Sequence, residues 1–241
     1  MIETTKQFIE TTRTEQAAAS PAIQLKSVTK HFGEGNLRVT AIRKISLVIN
    51  KGDFAILIGP SGSGKSTLLN IIAGLETATE GEILIDGEPL ETMSDKALSQ
   101  WRAQNVGLMF QSHNLIPVLS SYHNVELPLT LKKCPRKERR NRTLEALERV
   151  GLGERVYHFP NQLSLGEQQR VAIARSIVHD PAMVILDEPT GNLDRRNADE
   201  ILGVLKSLNR ELEKTIIMVT HDASALEYAT KVFELNKGGL R

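Results

Sequence analysis

The residues with the clearest chemistry form one short run, Gly59-Pro-Ser-Gly-Ser-Gly-Lys65-Ser66-Thr67. It matches the spacing G-x-x-x-x-G-K-[ST] and joins an apolar run, Phe54–Ile58, to a stretch of helical character, Lys65–Ala73. Gly62 and Gly64 let the backbone fold tightly, and Gly59, Ser61 and Ser63 complete the turn. Several N–H groups then converge on phosphate oxygens at the positive end of a helix. Lys65 is placed to reach the β- and γ-phosphates of a nucleoside triphosphate, and the Ser66 hydroxyl to bind Mg²⁺. A second run, Met183-Val-Ile-Leu-Asp187-Glu188, is an apolar strand that ends in two acids. A carboxylate at the C-terminal edge of such a strand can sit beside a phosphate loop and hold Mg²⁺ through water, the role assigned to Asp187. Strand alternation points Glu188 the other way, from where it could act on an attacking water as general base.

Positioning these groups takes a sheet with helices on its faces. Half-buried strands are expected at Ile23–Val28 and Ile45–Ile49, joined by the loop Gly33–Asn36, and a strand buried on both faces at Phe54–Ile58. Further strands are expected at Glu82–Asp86, Val106–Phe110, Met183–Leu186, Thr215–Val219 and Val232–Leu235, and helices at Gly166–Val178 and Asn197–Leu212. Residues from about 117 to 163 carry no strong strand signal and contain a charged amphipathic helix, Arg136–Val150, ended by Gly151. The alternation of strands and helices implies an α/β fold with a mainly parallel, helix-flanked sheet and a helical subdomain inserted at about residues 112–163. Residues 1–21, rich in Thr, Glu and Ala, read as a mobile or partly helical tail that Pro21 closes, leaving 22–241 as the folded domain.

Those two runs admit any P-loop nucleotidase; the residues between and after them narrow the choice. Asn161-Gln-Leu163-Ser164-Leu165-Gly166-Glu167-Gln168-Gln169-Arg170 resembles the signature of ATP-binding-cassette ATPases. Gln111 is similar to that family's Q-loop glutamine, Gly191-Asn-Leu-Asp194 to its D-loop, and His221 to its switch histidine. The resemblance covers roughly residues 22–241 and implies a P-loop NTPase fold with an added antiparallel β subdomain. It also implies ATP and Mg²⁺ as ligands, and a homodimer in which ATP lies between one phosphate loop and the other subunit's signature. Carried over by position, Ser164, Gly166 and Glu167 face the partner's nucleotide, and Asp194 contacts the opposite subunit. Gln111 touches Mg²⁺ and the attacking water, and its loop senses a membrane partner. His221 orients the γ-phosphate, and Phe32 stacks on adenine. Asp194 also fits as the N-cap of the helix that follows, and Phe32 as a core residue. Two positions depart from the usual Leu-Ser-Gly-Gly-Gln: Leu165 stands for the first glycine, adding bulk beside the γ-phosphate, and Glu167 for the glutamine.

The stretch Ile116–Leu129, with Glu188-Pro-Thr-Gly-Asn-Leu-Asp194, resembles the lipoprotein-releasing and macrolide-exporter branch. That branch implies integral-membrane permease subunits as partners and a peripheral place on the cytoplasmic face of the inner membrane. Apolar residues of this stretch would line a groove for the permease's coupling helix. The composition agrees. A net charge of +1 over 241 residues gives no global attraction to nucleic acid, and no run approaches the roughly 18 apolar residues of a membrane span. The acids and threonines at the start (Glu3, Thr4, Thr5, Glu10) do not read as a signal peptide. A single cysteine, Cys134, forms no intrachain disulfide and fits a reducing compartment. The basic cluster from Lys132 to Arg142 reads as a solvated helix face, with anionic lipid headgroups as the other reading. Two functional alternatives stay open: a nucleotide-gated regulatory subunit with weak turnover, and a cassette ATPase acting on nucleic acid.

Overall fold

The computed structural model describes residues 21–191 and 193–240. The expected tail, residues 1–20, lies outside the described residues, while Pro21, expected to close it, opens the first strand. The strands are β1 (Pro21–Phe32), β2 (Val39–Asn50), β3 (Phe54–Ile58), β4 (Glu80–Ile85), β5 (Glu88–Pro89), β6 (Val106–Met109), β7 (Met183–Asp187), β8 (Thr215–Val219), β9 (Lys231–Asn236) and β10 (Gly239–Leu240). The helices are α1 (Lys65–Ile72), α2 (Asp95–Asn105), α3 (Ser121–Leu131), α4 (Arg136–Arg149), α5 (Leu165–Ile177) and α6 (Arg195–Glu211).

Among the described residues the strands form two sheets. One is antiparallel, in the order β2-β1-β4-β5; the other runs β10-β9-β3-β8-β7-β6. Within the second, β9, β3, β8, β7 and β6 are parallel and β10 is antiparallel. The parallel strands read as unbroken apolar runs because they bury both faces, one residue to each side in turn. Phe54 and Ile56 of β3, Val184 and Leu186 of β7, and Ile216 and Met218 of β8 join the core under α5 and α6. Ala55 and Leu57, Met183 and Ile185, and Ile217 and Val219 face the opposite core, shared with α1 and the antiparallel sheet. The sheet therefore separates two cores, and the loops at its C-terminal edge are held from both sides.

The departures from the sequence expectations have local causes. β1 and β2 are twelve residues each, longer than expected, because bulges break their alternation between Leu25 and Val28 and again between Val28 and His31. Ser27 and Lys44 sit there with φ of 51° and 45°, which interrupts the period-two pattern that marks a strand. The strand expected at Glu82–Asp86 starts earlier and stops at Ile85. Asp86 and Gly87, both at positive φ, make the tight turn to β5. α2 was not expected; it has no fully buried residue, and only Leu98 and Trp101 pack partly against the core, too short an apolar stripe to reveal it. α3 carries Pro128 in its interior, which masks a helix in the sequence, yet it packs with α4 and α5. Its N-terminal approach is tied by Asn124, fully buried, whose side chain accepts from the Ile116 N–H and donates to the carbonyls of Ile116, Leu119 and Ser120.

The contact between β6 and α5 has no room to spare: a Cβ on Gly107 would fall 2.1 Å from the Ser176 carbonyl oxygen. Gly107→Ala is therefore expected to destabilise the fold by about 1–3 kcal/mol. Gly203, exposed in the middle of α6 with open space around its Cβ position, gives the opposite expectation: Gly203→Ala stabilises by about 0.5–1 kcal/mol. Urea midpoints of the two variants check both signs.

Candidate functional site

A cleft of about 540 Å³ opens at the C-terminal edge of the parallel sheet. Four strands deliver its walls. β3 leads into the glycine loop, β6 into Gln111, β7 ends in Asp187, and β8 leads to His221. The structure brings together Gly59, Ser61, Gly62, Gly64, Lys65, Ser66, Thr67, Gln111, Asp187, Glu188 and His221 as lining residues. Ser63 lies just behind them, 2% exposed.

The glycine loop is wedged. A Cβ on Gly59 would meet the Leu235 carbonyl oxygen at 2.2 Å, and one on Gly64 the Ala41 carbonyl oxygen at 2.5 Å. Gly62, at φ +75°, has nothing within 4 Å of its Cβ position, so its face stays open to an approaching phosphate. Lys65 Nζ donates to the carbonyls of Gly59 (2.8 Å) and Pro60 (3.0 Å), which folds its ammonium back over the loop. Glycine fits at Gly64, the N-cap of α1 with φ of 97°, where other residues are strained.

The acids behave differently from the sequence expectation in one respect. β7 ends at Asp187, and Glu188 takes a left-handed φ of 53° instead of continuing the strand. Alternation therefore does not carry Glu188 to the far side; both carboxylates line the same cleft. Burial pushes the Asp187 carboxyl above its usual value, and neighbouring Glu188 adds to the rise; the Ser66 hydroxyl, hydrogen-bonded to it, and Lys65 oppose it. Such a left-handed non-glycine residue costs on the order of 1–3 kcal/mol and is held by its surroundings, here by the Glu188 N–H donating to the Val219 carbonyl at 2.9 Å. His221 Nδ1 stands 2.9 Å from Glu188 Oε2. That buried oxygen has no directed hydrogen-bond partner, and the imidazole beside it is 73% exposed.

This donor set fits a small divalent cation carried with a nucleotide. Ser66 and Asp187 offer two oxygen ligands, and among the described residues no cluster of three or more His, Cys, Asp or Glu could hold a metal by itself. Mg²⁺ typically takes few protein ligands and completes its shell with phosphate and water. The raised Asp187 carboxyl is a buried charge short of positive compensation, which a cation supplies.

The remaining expected residues lie elsewhere. Ser164 caps α5, accepting from the Glu167 N–H (3.2 Å), while Glu167 Oε2 accepts from the Ser164 N–H (2.8 Å). That capping box gives Glu167 a local reason to be acidic. The Ser164 N–H, and then Arg155 at 3.1 Å, hold its carboxyl below the usual range. Asp194 caps α6 through the Asn197 N–H (2.9 Å), which likewise lowers its carboxyl. Gly166 adjoins the same Asn197, with a Cβ position 3.2 Å from its Oδ1. Ser164, Gly166, Glu167 and Asp194 thus gather at the N-terminal ends of α5 and α6 and do not line the cleft, with Gly166 buried among them. Phe32 also stands outside the lining, but it pairs across the hairpin with Val39, which does line it.

Sequence reasoning missed the wall made by Val39, Thr40 and Ala41 and the brace behind the loop. In that brace the Gly238 N–H donates to the Ser63 carbonyl at 3.2 Å, and a Cβ on Gly238 would meet the Ala41 carbonyl oxygen at 2.7 Å. Lys237-Gly238-Gly239 was the only available signal, as turn residues between β9 and β10. Arg175 was missed as well. From α5 it donates to the carbonyls of His113 and of Asn114 (2.7 Å), both residues at positive φ, and so pins the loop that carries Gln111. Burial, with Arg175 nearby, lowers the His113 imidazole below its usual value.

With this geometry in hand, similarity to known proteins is specific. Residues 42–191 match the ABC transporter family. An ABC transporter ATP-binding protein of Thermotoga maritima is 45% identical over 216 residues, 90% of this chain and 92% of that protein. The lipoprotein-releasing system ATP-binding protein LolD of Alcanivorax borkumensis is 41% identical over 223 residues, covering 92% and 98%. The dimeric post-hydrolysis structure of the ATP-binding cassette MJ0796 of Methanocaldococcus jannaschii, bound to ADP and Pi, superposes with a TM-score of 0.83. It shares 41% identity over 91% of this chain and 96% of that one.

The Asp187 carboxyl gives a stability prediction whose sign follows from its raised position. A carboxyl that is harder to ionise in the fold than in the unfolded chain contributes its stability below the unfolded value and loses it as pH rises through the folded one. Asp187→Asn is therefore expected to stabilise the nucleotide-free protein at pH 7.5, the gain disappearing as the pH falls to about 3.5. Urea denaturation of both proteins across that range checks it.

Proposed function

Because this chain belongs to the ABC transporter family and is an ATPase, we propose that it is the ATP-hydrolysing subunit of a transport complex. It works as a homodimer that binds Mg²⁺·ATP at the subunit interface and drives an integral-membrane permease of the lipoprotein-release or macrolide-export type. The observation that carries this reading is the separation of two half-sites. The cleft holds the phosphate loop, both acids, Gln111 and His221, whereas Ser164, exposed at the N-terminus of α5, lies on another surface with Gly166 packed just behind it. A second copy, head to tail, would bring those helix N-terminal donors to the γ-phosphate. The dimeric form of MJ0796 supports the assembly, and LolD supports the branch.

In this reading Lys65 and the loop N–H groups bind the β- and γ-phosphates. Ser66 and Asp187 would hold Mg²⁺, which supplies neutralisation of the phosphate charge. Glu188 takes the proton of the attacking water, a contribution of about 10²–10⁴-fold in rate. His221, adjacent to Glu188, steadies the γ-phosphate and that water, and Gln111 completes the water's surroundings. Among the described residues no helix is long and apolar enough to cross a membrane, so the membrane role is exercised through the permease, with this subunit peripheral to it. A net charge of +1 gives the chain no global attraction to nucleic acid.

One observation favours a second reading, a regulatory subunit that closes on ATP and turns over slowly. Leu165, 40% exposed at the first turn of α5, puts an isobutyl group beside the proposed γ-phosphate donors. Two measurements decide between them. Glu188→Gln is expected to form a stable dimer on adding ATP, seen by analytical ultracentrifugation, while the wild type dimerises only transiently. Equal, stable dimerisation of both proteins would instead support the regulatory reading. Leu165→Gly is expected to change kcat by less than about threefold if hydrolysis is intact, and to raise it at least tenfold if Leu165 disables the signature. Purification from detergent-solubilised membranes is expected to bring down integral-membrane subunits; recovery without any would sink the transport assignment.

A further inference from the structure

One buried cation joins the β1–β2 hairpin to the far end of the phosphate-loop helix. Lys30 precedes Phe32 by two residues on β1, across the bulged part of the strand, and its ammonium reaches the Phe32 ring. Lys30 is 8% exposed; its Nζ donates to Glu76 Oε1 at 2.6 Å and to the Thr77 carbonyl at 2.7 Å, and stands 5.0 Å from the centre of the Phe32 ring. Glu76 and Thr77 follow α1 closely, in a turn where the N–H groups of Leu75 and Glu76 both donate to the Asn70 carbonyl, at 2.8 and 3.2 Å. The same two segments are laced again by Thr79 N–H to Thr29 O (2.8 Å) and His31 N–H to Thr79 Oγ1 (3.0 Å). One end of α1 thus carries the phosphate loop, and the other carries the anchor of a cation set over one face of an aromatic ring.

We propose that Lys30 is a positioning residue for nucleotide binding, fixing the Phe32 ring at a set distance from the phosphate loop so that its open face receives the adenine base. This rests on the reading of Phe32 as the adenine platform. Three physical points carry it. A cation within about 6 Å of a ring centre is attracted to the ring's negative face, which orients the ring as well as holding it. Phe32 remains 43% exposed, so part of its ring is open to a ligand. Burying an ammonium stabilises a fold less than an apolar side chain of similar volume would, even when it is well paired. Its gain is geometric: the base and the phosphates of ATP are a fixed length apart, and binding energy from both ends is realised only if the two subsites are held at that spacing.

The test compares Mg²⁺·ATP with Mg²⁺·tripolyphosphate, which lacks the base, by calorimetry on the purified full chain. Lys30→Met is expected to weaken ATP binding about tenfold and to leave tripolyphosphate within about twofold of wild type. In steady state KM for ATP rises while kcat is kept, and Lys30→Arg restores most of the affinity. Unchanged ATP binding in Lys30→Met, or equal loss for both ligands, would overturn the proposal. Should Lys30→Met not fold, Glu76→Gln decides: a loss of about threefold for ATP alone supports it and no loss overturns it. Phe32→Ala separates the two layers of the argument. If that variant binds ATP like wild type, the adenine platform fails and the proposal with it. If Phe32→Ala weakens binding and Lys30→Met does not, only the positioning role fails.

Discussion

The phosphate loop can hold its shape only because three parts of the chain press on it at once. Gly59 lies against the Leu235 carbonyl of the parallel sheet, Gly64 against the Ala41 carbonyl of the antiparallel one, and Ser63 accepts from Gly238 in the last hairpin. None of these contacts leaves room for a side chain at Gly59 or Gly64. Backbone N–H groups aimed at an anion are useful in proportion to how little they must rearrange, and here their direction is set by two sheets and not by the loop alone. The two cores on either side of the parallel sheet matter for the same reason: they keep β3, β7 and β8 in register so that their ends stay level.

The acids show the cost of that arrangement. Asp187 is buried enough to resist ionisation, and Glu188 holds a left-handed backbone that a non-glycine residue rarely adopts. Both features destabilise the chain locally and both bring a carboxylate to the cleft. His221 is mostly exposed on the open side, beside Glu188 and beyond the tight packing that fixes the other groups. Strain and burial are therefore concentrated on the two acids, while His221 sits exposed at the rim.

Helix α5 connects the cleft to the second half-site proposed above. Its first turn carries Ser164, Gly166 and Glu167, and Gln169 one turn on donates to the Gly191 carbonyl at 3.1 Å. Further along, Arg175 clamps the loop after Gln111. A single rigid element thus touches the signature, the Gly191–Asp194 segment and the Gln111 loop. The family match and the dimeric relative give that connection its context, since in the proposed head-to-tail dimer α5 would relate the partner-facing residues of each chain to its own cleft.

Much of this was legible in the linear chain, and the reasons are physical. Phosphate binding demands glycines, a lysine and a hydroxyl at fixed spacing, and doubly buried strands demand unbroken apolar runs, so the loop, β3, β7, β8 and Asp187 could be read directly. Hydrophobic patterning failed where burial is weak or the period is broken. It missed α2, which has no fully buried residue, α3, with its internal Pro128, and the full length of the bulged β1 and β2. Glu188 shows the limit most plainly. Its identity and place after Asp187 follow from the sequence, but its direction depends on a left-handed φ fixed by Val219 on a neighbouring strand. The brace from Gly238, the clamp by Arg175 and the anchoring of Lys30 at Glu76 likewise join residues far apart in the chain. Sequence alone determined which chemical groups exist and which short-range turns present them. Only the tertiary structure decided how those groups face one another, because directions at a cleft are set by packing between segments that the linear order keeps apart.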